Sequence, residues 1–180
     1  MIRRDILLLL FLGSFIITIC GLLQYWNPNL LTLSQVYGNY NNKIYFFFLV
    51  NLFGMLCALA YEYTFKDYIS MYIFFILAIS YVLLLWISED IQDTLRFKSH
   101  VVLSAIAFSS TLLYILYHAI SRRDVCLYLL FMISIGLFYR IVSQTLYCIM
   151  YGLNVPDMFL EEITLAILFI ISVVRRGGYF

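Results

Sequence analysis

The chain has 180 residues, of which 64% are hydrophobic and only 12% are charged, and its formal net charge is +1. Soluble domains are typically about 25% charged, so this chain has too few charges to cover an ordinary water-facing surface. The near-zero net charge also excludes a basic field for nucleic acid. The composition therefore predicts an integral, multi-pass membrane protein that has no nucleic-acid partner.

Apolar runs long enough to cross a bilayer as helices recur six times along the chain. They cover residues 6–23, 44–61, 68–87, 100–120, 125–151 and 158–174. The first run follows a short basic start without a clear small-x-small cleavage site, so we expect a retained helix rather than a cleaved signal peptide. Polar segments separate the runs, and the longest are 24–43 and 88–98. The sequence predicts an all-α fold, a polytopic transmembrane helical bundle of six spans that forms one domain over 1–180.

Lys and Arg residues in the connecting segments predict the orientation of these spans. If the N-terminus is cytoplasmic, seven of these residues lie inside and three lie outside. The inside residues are Arg3, Arg4, Lys66, Arg122, Arg123, Arg175 and Arg176. The outside residues are Lys43, Arg96 and Lys98. Every arginine pair is then inside, so we predict that the N- and C-termini are both cytoplasmic.

One arginine, Arg140, lies well inside the fifth predicted span, where an isolated arginine costs about 2.5 kcal/mol or more and needs a partner or water. Glu161 and Glu162 enter the sixth span from the same outer side. At about 1.5 Å of rise per residue, the three side chains fall at a similar depth in the outer half of the membrane. We predict an ion pair between Arg140 and either Glu161 or Glu162. Consecutive residues point about 100° apart, so only one glutamate faces Arg140 squarely.

Polar and small residues also follow single helix faces at steps of three and four. The stripe in the fifth span is Gly136, Arg140, Gln144, Tyr147 and Tyr151. The stripe in the fourth span is His100, Ser104, Ala107, Thr111, Tyr114 and His118. In the second span, Asn51 lies about two turns below the outer surface.

These positions allow two interpretations. The residues form a single polar site, or they mediate ordinary packing between helices. We predict that a polar cluster in the outer half forms a pocket from Asn51, His100, Arg140, Gln144 and one of the two glutamates. Small and polar stripes also mediate plain helix–helix contacts in membranes, so the packing interpretation stays open.

The order of these features resembles the Frag/DRAM/Sfk-like family of six-span membrane proteins. The resemblance is carried by a longer first outer loop before a span with Asn51, and by an acidic connector leading to His100 ("SEDIQDTLRFKSHVVLSAIAF"). It also includes a glutamate early in the sixth span ("DMFLEEITLAILF"), although Ile163 follows Glu162 where the family usually has a bulky Trp or Tyr. The resemblance implies a role in membrane-lipid handling or organelle regulation, such as lipid-anchor remodelling, lipid-asymmetry control or autophagy modulation.

No complete catalytic or cofactor motif is present in the sequence. Two histidines cannot make a three-ligand zinc site and the four cysteines have no CxxC spacing, so we expect no metal and no cofactor. We expect a non-enzymatic protein that binds membrane lipids, or another membrane protein or a second copy, through the outer pocket. One alternative is an intramembrane lipid-modifying enzyme, with His100 and Glu161 or Glu162 as acid–base groups and Arg140 holding a phosphate. Others are a small transporter or channel, and a subunit of a large membrane complex.

Overall fold

The computed structural model describes residues 4–25, 44–87, 94–151 and 159–179. Within these ranges the chain forms six α-helices and no strand. The helices are α1 (Arg4–Tyr25), α2 (Ile44–Tyr63), α3 (Tyr68–Trp86), α4 (Thr94–Arg122), α5 (Val125–Tyr151) and α6 (Phe159–Arg176). The predicted all-α class is confirmed. Most of the predicted loop over 24–43, and the first part of the connector over 88–98, lie outside the described residues.

Three of these helices are long and apolar enough to cross a membrane. The spanning stretches are Arg4–Gly21 in α1, Lys98–Arg122 in α4 and Val125–Tyr147 in α5. Shorter apolar stretches, Leu49–Tyr63 and Tyr68–Leu84, occupy α2 and α3. About 20 apolar residues are needed to cross a hydrocarbon core, so the helices are compatible with a multi-pass membrane protein.

Two tight turns join α2 to α3 and α4 to α5, and they share one local design. Each turn contains a basic residue with positive φ: Lys66 has φ 55° and Arg123 has φ 53°. An aspartate then caps the next helix. Asp67 accepts a hydrogen bond from the backbone N–H of Ser70, and Asp124 accepts one from that of Cys126. Aspartate is a preferred N-cap because it satisfies backbone donors that have no partner within the helix.

The described residues fall into two compact units, and the boundary lies within α4 between Ser110 and Thr111. The predicted single domain over 1–180 stays a prediction. In the first unit, α1 packs along α2 and α2 packs against α3. A Cβ atom added at Gly54 of α2 would overlap the hydroxyl of Ser14 in α1, so the two helices approach closely at this point.

The second unit contains the end of α4 with α5 and α6, and α5 packs against α6. Its core is formed by fully buried side chains such as Ile115, Leu127 and Val173. The rings of Tyr114 in α4 and Phe169 in α6 meet edge to face, with their centroids 5.4 Å apart. Aromatic and branched side chains therefore link the three helical segments of this unit.

Several helix ends differ from the predicted spans. Residues 94–98 belong to α4, although the sequence places them in a connector. Residues 62–63 extend α2, and Arg175 and Arg176 extend α6 beyond the predicted end at residue 174. A helix continues past an apolar run wherever its backbone hydrogen bonds can continue, and hydropathy does not register this extension.

Candidate functional site

An ion pair joins α5 to α6 in the second unit. The Nε atom of Arg140 lies 3.0 Å from the Oε1 atom of Glu161. The Arg140 side chain is 61% exposed, whereas that of Glu161 is 11% exposed. The structure therefore brings together the arginine and one of the two glutamates that the sequence offers as partners. The Glu161 side chain is thus largely enclosed by the unit, whereas most of the Arg140 side chain is exposed.

The start of α6 favours this arrangement. Glu161 and Glu162 occupy its first turn, where the positive end of the helix dipole stabilises acidic side chains. The two residues point about 100° apart, which separates their environments. Glu161 is buried and pairs with Arg140, whereas Glu162 is only partly buried.

A second ion pair lies at the other end of the same two helices. Arg175 donates hydrogen bonds to Asp124 from Nε at 2.6 Å and from Nη2 at 3.0 Å. The hydrogen bond from Arg175 lowers the pKa of the Asp124 carboxyl, which also accepts from the backbone N–H groups of Cys126 and Leu127; desolvation acts in the opposite direction. The paired charges keep the end of α6 beside the start of α5.

The distance between the two ion pairs follows from the number of residues that separate them along each helix. At about 1.5 Å per residue, Asp124 and Arg140 are about 24 Å apart along α5, and Glu161 and Arg175 are about 21 Å apart along α6. Both values are shorter than the hydrocarbon core of about 30 Å. If Asp124–Arg175 marks one membrane boundary, Arg140–Glu161 lies about 6–9 Å below the other.

The stripe on α5 is mostly an exposed helix face. Gly136, Arg140, Tyr147 and Tyr151 are exposed, and Gln144 is partly buried. The rings of Tyr147 and Tyr151 contact each other, with centroids 4.6 Å apart. Among the described residues, no hydrogen-bond partner reaches the buried Oε1 atom of Gln144. The exposed face thus combines a guanidinium with a pair of aromatic rings, whereas the amide oxygen of Gln144 is buried.

The remaining candidates, Asn51 and His100, lie in the first unit. The hydroxyl of Tyr81 donates to Oδ1 of Asn51 at 3.5 Å, a contact that links α3 to α2. Nδ1 of His100 lies 2.8 Å from the carbonyl oxygen of Ile87. Because a carbonyl only accepts, Nδ1 carries the proton and connects the start of α4 to the end of α3. The convergence of Asn51 and His100 with the Arg140–Glu161 pair stays a prediction.

Sequence reasoning missed a buried carboxyl group in the first unit. Glu62 is fully buried, and its Oε2 atom accepts a hydrogen bond of 2.9 Å from the hydroxyl of Ser70, which is also fully buried. The two residues are eight positions apart, on opposite sides of the turn after α2. In the sequence, a glutamate next to a turn is typical of a solvated position. The serine on the other side of the turn is the one signal of a buried hydrogen-bond partner.

His118 is a second residue whose environment the sequence does not indicate. It is 1% exposed in the second unit, and its ring meets those of Tyr114 and Tyr117 edge to face at 4.6 and 5.1 Å. The four-residue spacing from Tyr114 places both rings on one face of α4. His118 is therefore part of an aromatic contact region.

Comparisons of the chain with protein-family models, with curated proteins and with solved structures found no match. In the part of the chain that the structure describes, no three His, Cys, Asp or Glu side chains form a group suited to a metal ion. The candidate site therefore rests on the geometry of α5 and α6.

Proposed function

We propose that this chain is a six-span integral membrane protein with both termini in the cytoplasm. Contacts at the ends of the helices support alternating directions within each unit. The Arg4 guanidinium lies over the Phe65 ring, 5.1 Å from its centroid, so the start of α1 lies beside the turn between α2 and α3. In the second unit, the Asp124–Arg175 pair places the turn between α4 and α5 beside the end of α6. These ends carry the arginine pairs that favour the cytoplasmic side.

We further propose that the protein binds a membrane phospholipid, and that Arg140 holds the phosphate. The observation that carries this proposal is the partial pairing of Arg140. Glu161 contacts Arg140 at the Nε atom, and the arginine side chain remains 61% exposed on a helix with a long apolar stretch. Among the described residues, no acceptor hydrogen-bonds to its terminal nitrogens, which form the edge that matches a phosphate.

The proposed depth of Arg140 suits this role. A side chain about 6–9 Å below the membrane boundary can extend its charged end towards the headgroups while its methylene groups stay in the apolar layer. Glu161 reduces the cost of placing the guanidinium there, because an intramembrane charge needs a partner. The exposed donors then meet lipid phosphates rather than hydrocarbon. A lipid-handling role is also what the resemblance to the Frag/DRAM/Sfk-like family implies, and we include it in the proposal.

The test is native mass spectrometry of the full-length protein, extracted gently from its own membrane. The wild type should retain phospholipid, and Arg140→Gln should lose about 90% of it, because a charge-assisted contact contributes about 1.5–3 kcal/mol. Arg122→Gln is the matched control, since Arg122 is an exposed arginine at the end of α4. Equal lipid retention in the wild type and in Arg140→Gln would overturn the proposal. A protein partner retained without lipid would favour a complex subunit.

A further inference from the structure

We infer that the exposed face of α5 selects a zwitterionic phospholipid headgroup, with the phosphate on Arg140 and the ammonium group against the rings of Tyr147 and Tyr151. This inference rests on the proposed function, because it assumes that Arg140 holds a lipid phosphate. It adds the chemical class of the headgroup, and it assigns a ligand to side chains that the phosphate contact does not use.

The charges around Arg140 favour a ligand that carries a positive group. The carboxylate of Glu161 already neutralises the guanidinium of Arg140. An anionic lipid would therefore bring a net negative charge to a pair that has no net charge of its own. A zwitterionic headgroup brings a phosphate for Arg140 and a compensating cation, so its electrostatic cost is lower.

The two tyrosines offer a place for that cation. Tyr147 and Tyr151 are 53% and 65% exposed, and their rings are tilted by 45° to each other. They lie seven and eleven residues after Arg140, which places all three on one helical face. A cation within about 6 Å of an aromatic ring is attracted by the ring quadrupole, and quaternary ammonium ligands are bound in this way.

The distances along α5 fit one headgroup. Gln144 is about 6 Å and Tyr147 about 10 Å beyond Arg140 along the helix axis. Side chains of one helix lean in the same direction, so Arg140 and Tyr147 keep their separation of about 10 Å, which a phosphate on the guanidinium and an ammonium group on the ring bridge together.

The test measures headgroup preference in equimolar mixed micelles. Phosphatidylcholine, phosphatidylethanolamine and phosphatidylglycerol with the same palmitoyl and oleoyl chains compete for the full-length protein, and native mass spectrometry counts the bound species. The wild type should prefer both zwitterionic lipids. A double variant, Tyr147→Leu with Tyr151→Leu, should reduce this preference about fivefold, the effect of losing one cation–π contact.

Two further variants distinguish the loss of the cation–π contact from a general effect on folding. Tyr139→Leu removes a tyrosine that is 74% exposed on another face of α5, and it should leave the preference unchanged. Replacement of Tyr147 and Tyr151 by Phe keeps both rings, and it should retain most of the preference.

The outcomes distinguish the inference from the function on which it rests. If the wild type binds phosphatidylglycerol as well as phosphatidylcholine, while Arg140→Gln still loses all three lipids, the headgroup inference is overturned and the phosphate site stands. An unchanged preference in the double leucine variant also overturns the inference. If Arg140→Gln retains all three lipids, the proposed function itself fails.

Discussion

Asp124 illustrates how one short side chain can connect two helices. Its carboxylate caps α5 through the backbone N–H groups of Cys126 and Leu127, and it also binds Arg175 at the end of α6. The capping contact satisfies donors at a helix start, and the ion pair fixes where α6 ends relative to α5. The two contacts can be separated by mutation, because asparagine preserves a cap but carries no charge.

We expect the Asp124–Arg175 contribution to stability to depend on pH. The pKa of Asp124 is lowered by its hydrogen bond with Arg175. A lowered carboxyl pKa stabilises the fold above the ordinary value of about 3.9, and this contribution is lost as the pH falls through the lowered pKa. Thermal unfolding of the detergent-solubilised wild type and Asp124→Asn, between pH 7 and pH 2.5, measures the effect.

The wild type should unfold at a higher temperature than Asp124→Asn at pH 7, and the two curves should approach each other below about pH 4. Asp124→Ala should be less stable than Asp124→Asn at pH 7, because it removes the cap as well as the charge; a typical cap contributes about 1 kcal/mol. A constant difference between the wild type and Asp124→Asn over the whole pH range would contradict this account of the pair.

The residues of the candidate site could be predicted only in part from the sequence. The depth of Arg140, Glu161 and Glu162 follows from counting residues along two helices, and that count brings the arginine near both glutamates. The rotation of each helix about its axis decides which glutamate faces Arg140, and packing of α5 on α6 sets this rotation. The exposure of Arg140 depends on the same rotation. In the first unit, the burial of Glu62 depends in turn on how α2 and α3 pack at the turn between them, where Ser70 binds the carboxylate.

At the scale of elements, the contact between α1 and α2 depends on a glycine. Gly54 faces Ser14, whose hydroxyl donates a 2.7 Å hydrogen bond to the Phe11 carbonyl and therefore stays close to its own helix. Small residues allow membrane helices to approach closely where no hydrophobic effect drives their association. The absence of a side chain at Gly54 is therefore a packing feature of the first unit.

Gly54→Ala should destabilise the protein by about 1–3 kcal/mol, because the new methyl group overlaps Ser14 and the helices must separate. Gly13→Ala is the matched control. A Cβ atom there has no neighbour within 4 Å among the described residues, and alanine favours the helix by about 1 kcal/mol. Unfolding by graded addition of a denaturing detergent measures both. Equal stability of Gly54→Ala and the wild type would contradict the close contact, whereas partial recovery in Ser14→Gly with Gly54→Ala would support it.

The existence of the helices followed from the sequence more closely than their ends did. Each apolar run of about 20 residues corresponds to a helix, because an apolar segment satisfies its backbone groups most readily by forming one. The helix α4 begins six residues before the predicted span, since Thr94–Ser99 is polar enough to resemble a connector. Charge and polarity do not prevent a helix from continuing, so hydropathy alone cannot locate such an end.

The role proposed for Arg140 depends on where the membrane lies along α5 and α6. The proposed topology places Arg123 on the cytoplasmic side and the end of α5 on the opposite side. Arg140 then lies within the bilayer, about 24 Å from Asp124 along the helix. If α5 did not cross the bilayer, Arg140 would be an ordinary exposed arginine, and its ion pair with Glu161 would need no lipid.

Labelling of single cysteines tests this claim most directly. In a variant without the four native cysteines, Arg123→Cys, Tyr139→Cys and Met150→Cys each add one thiol at an exposed position of the second unit. A membrane-impermeant maleimide is added to intact and to permeabilised cells, or to sealed vesicles of known orientation. We predict that position 150 reacts only from the outside and position 123 only from the cytoplasmic side. Position 139, next to Arg140, should not react from either side. Reaction at position 139 in sealed vesicles, or reaction of positions 123 and 150 from the same side, would contradict the account.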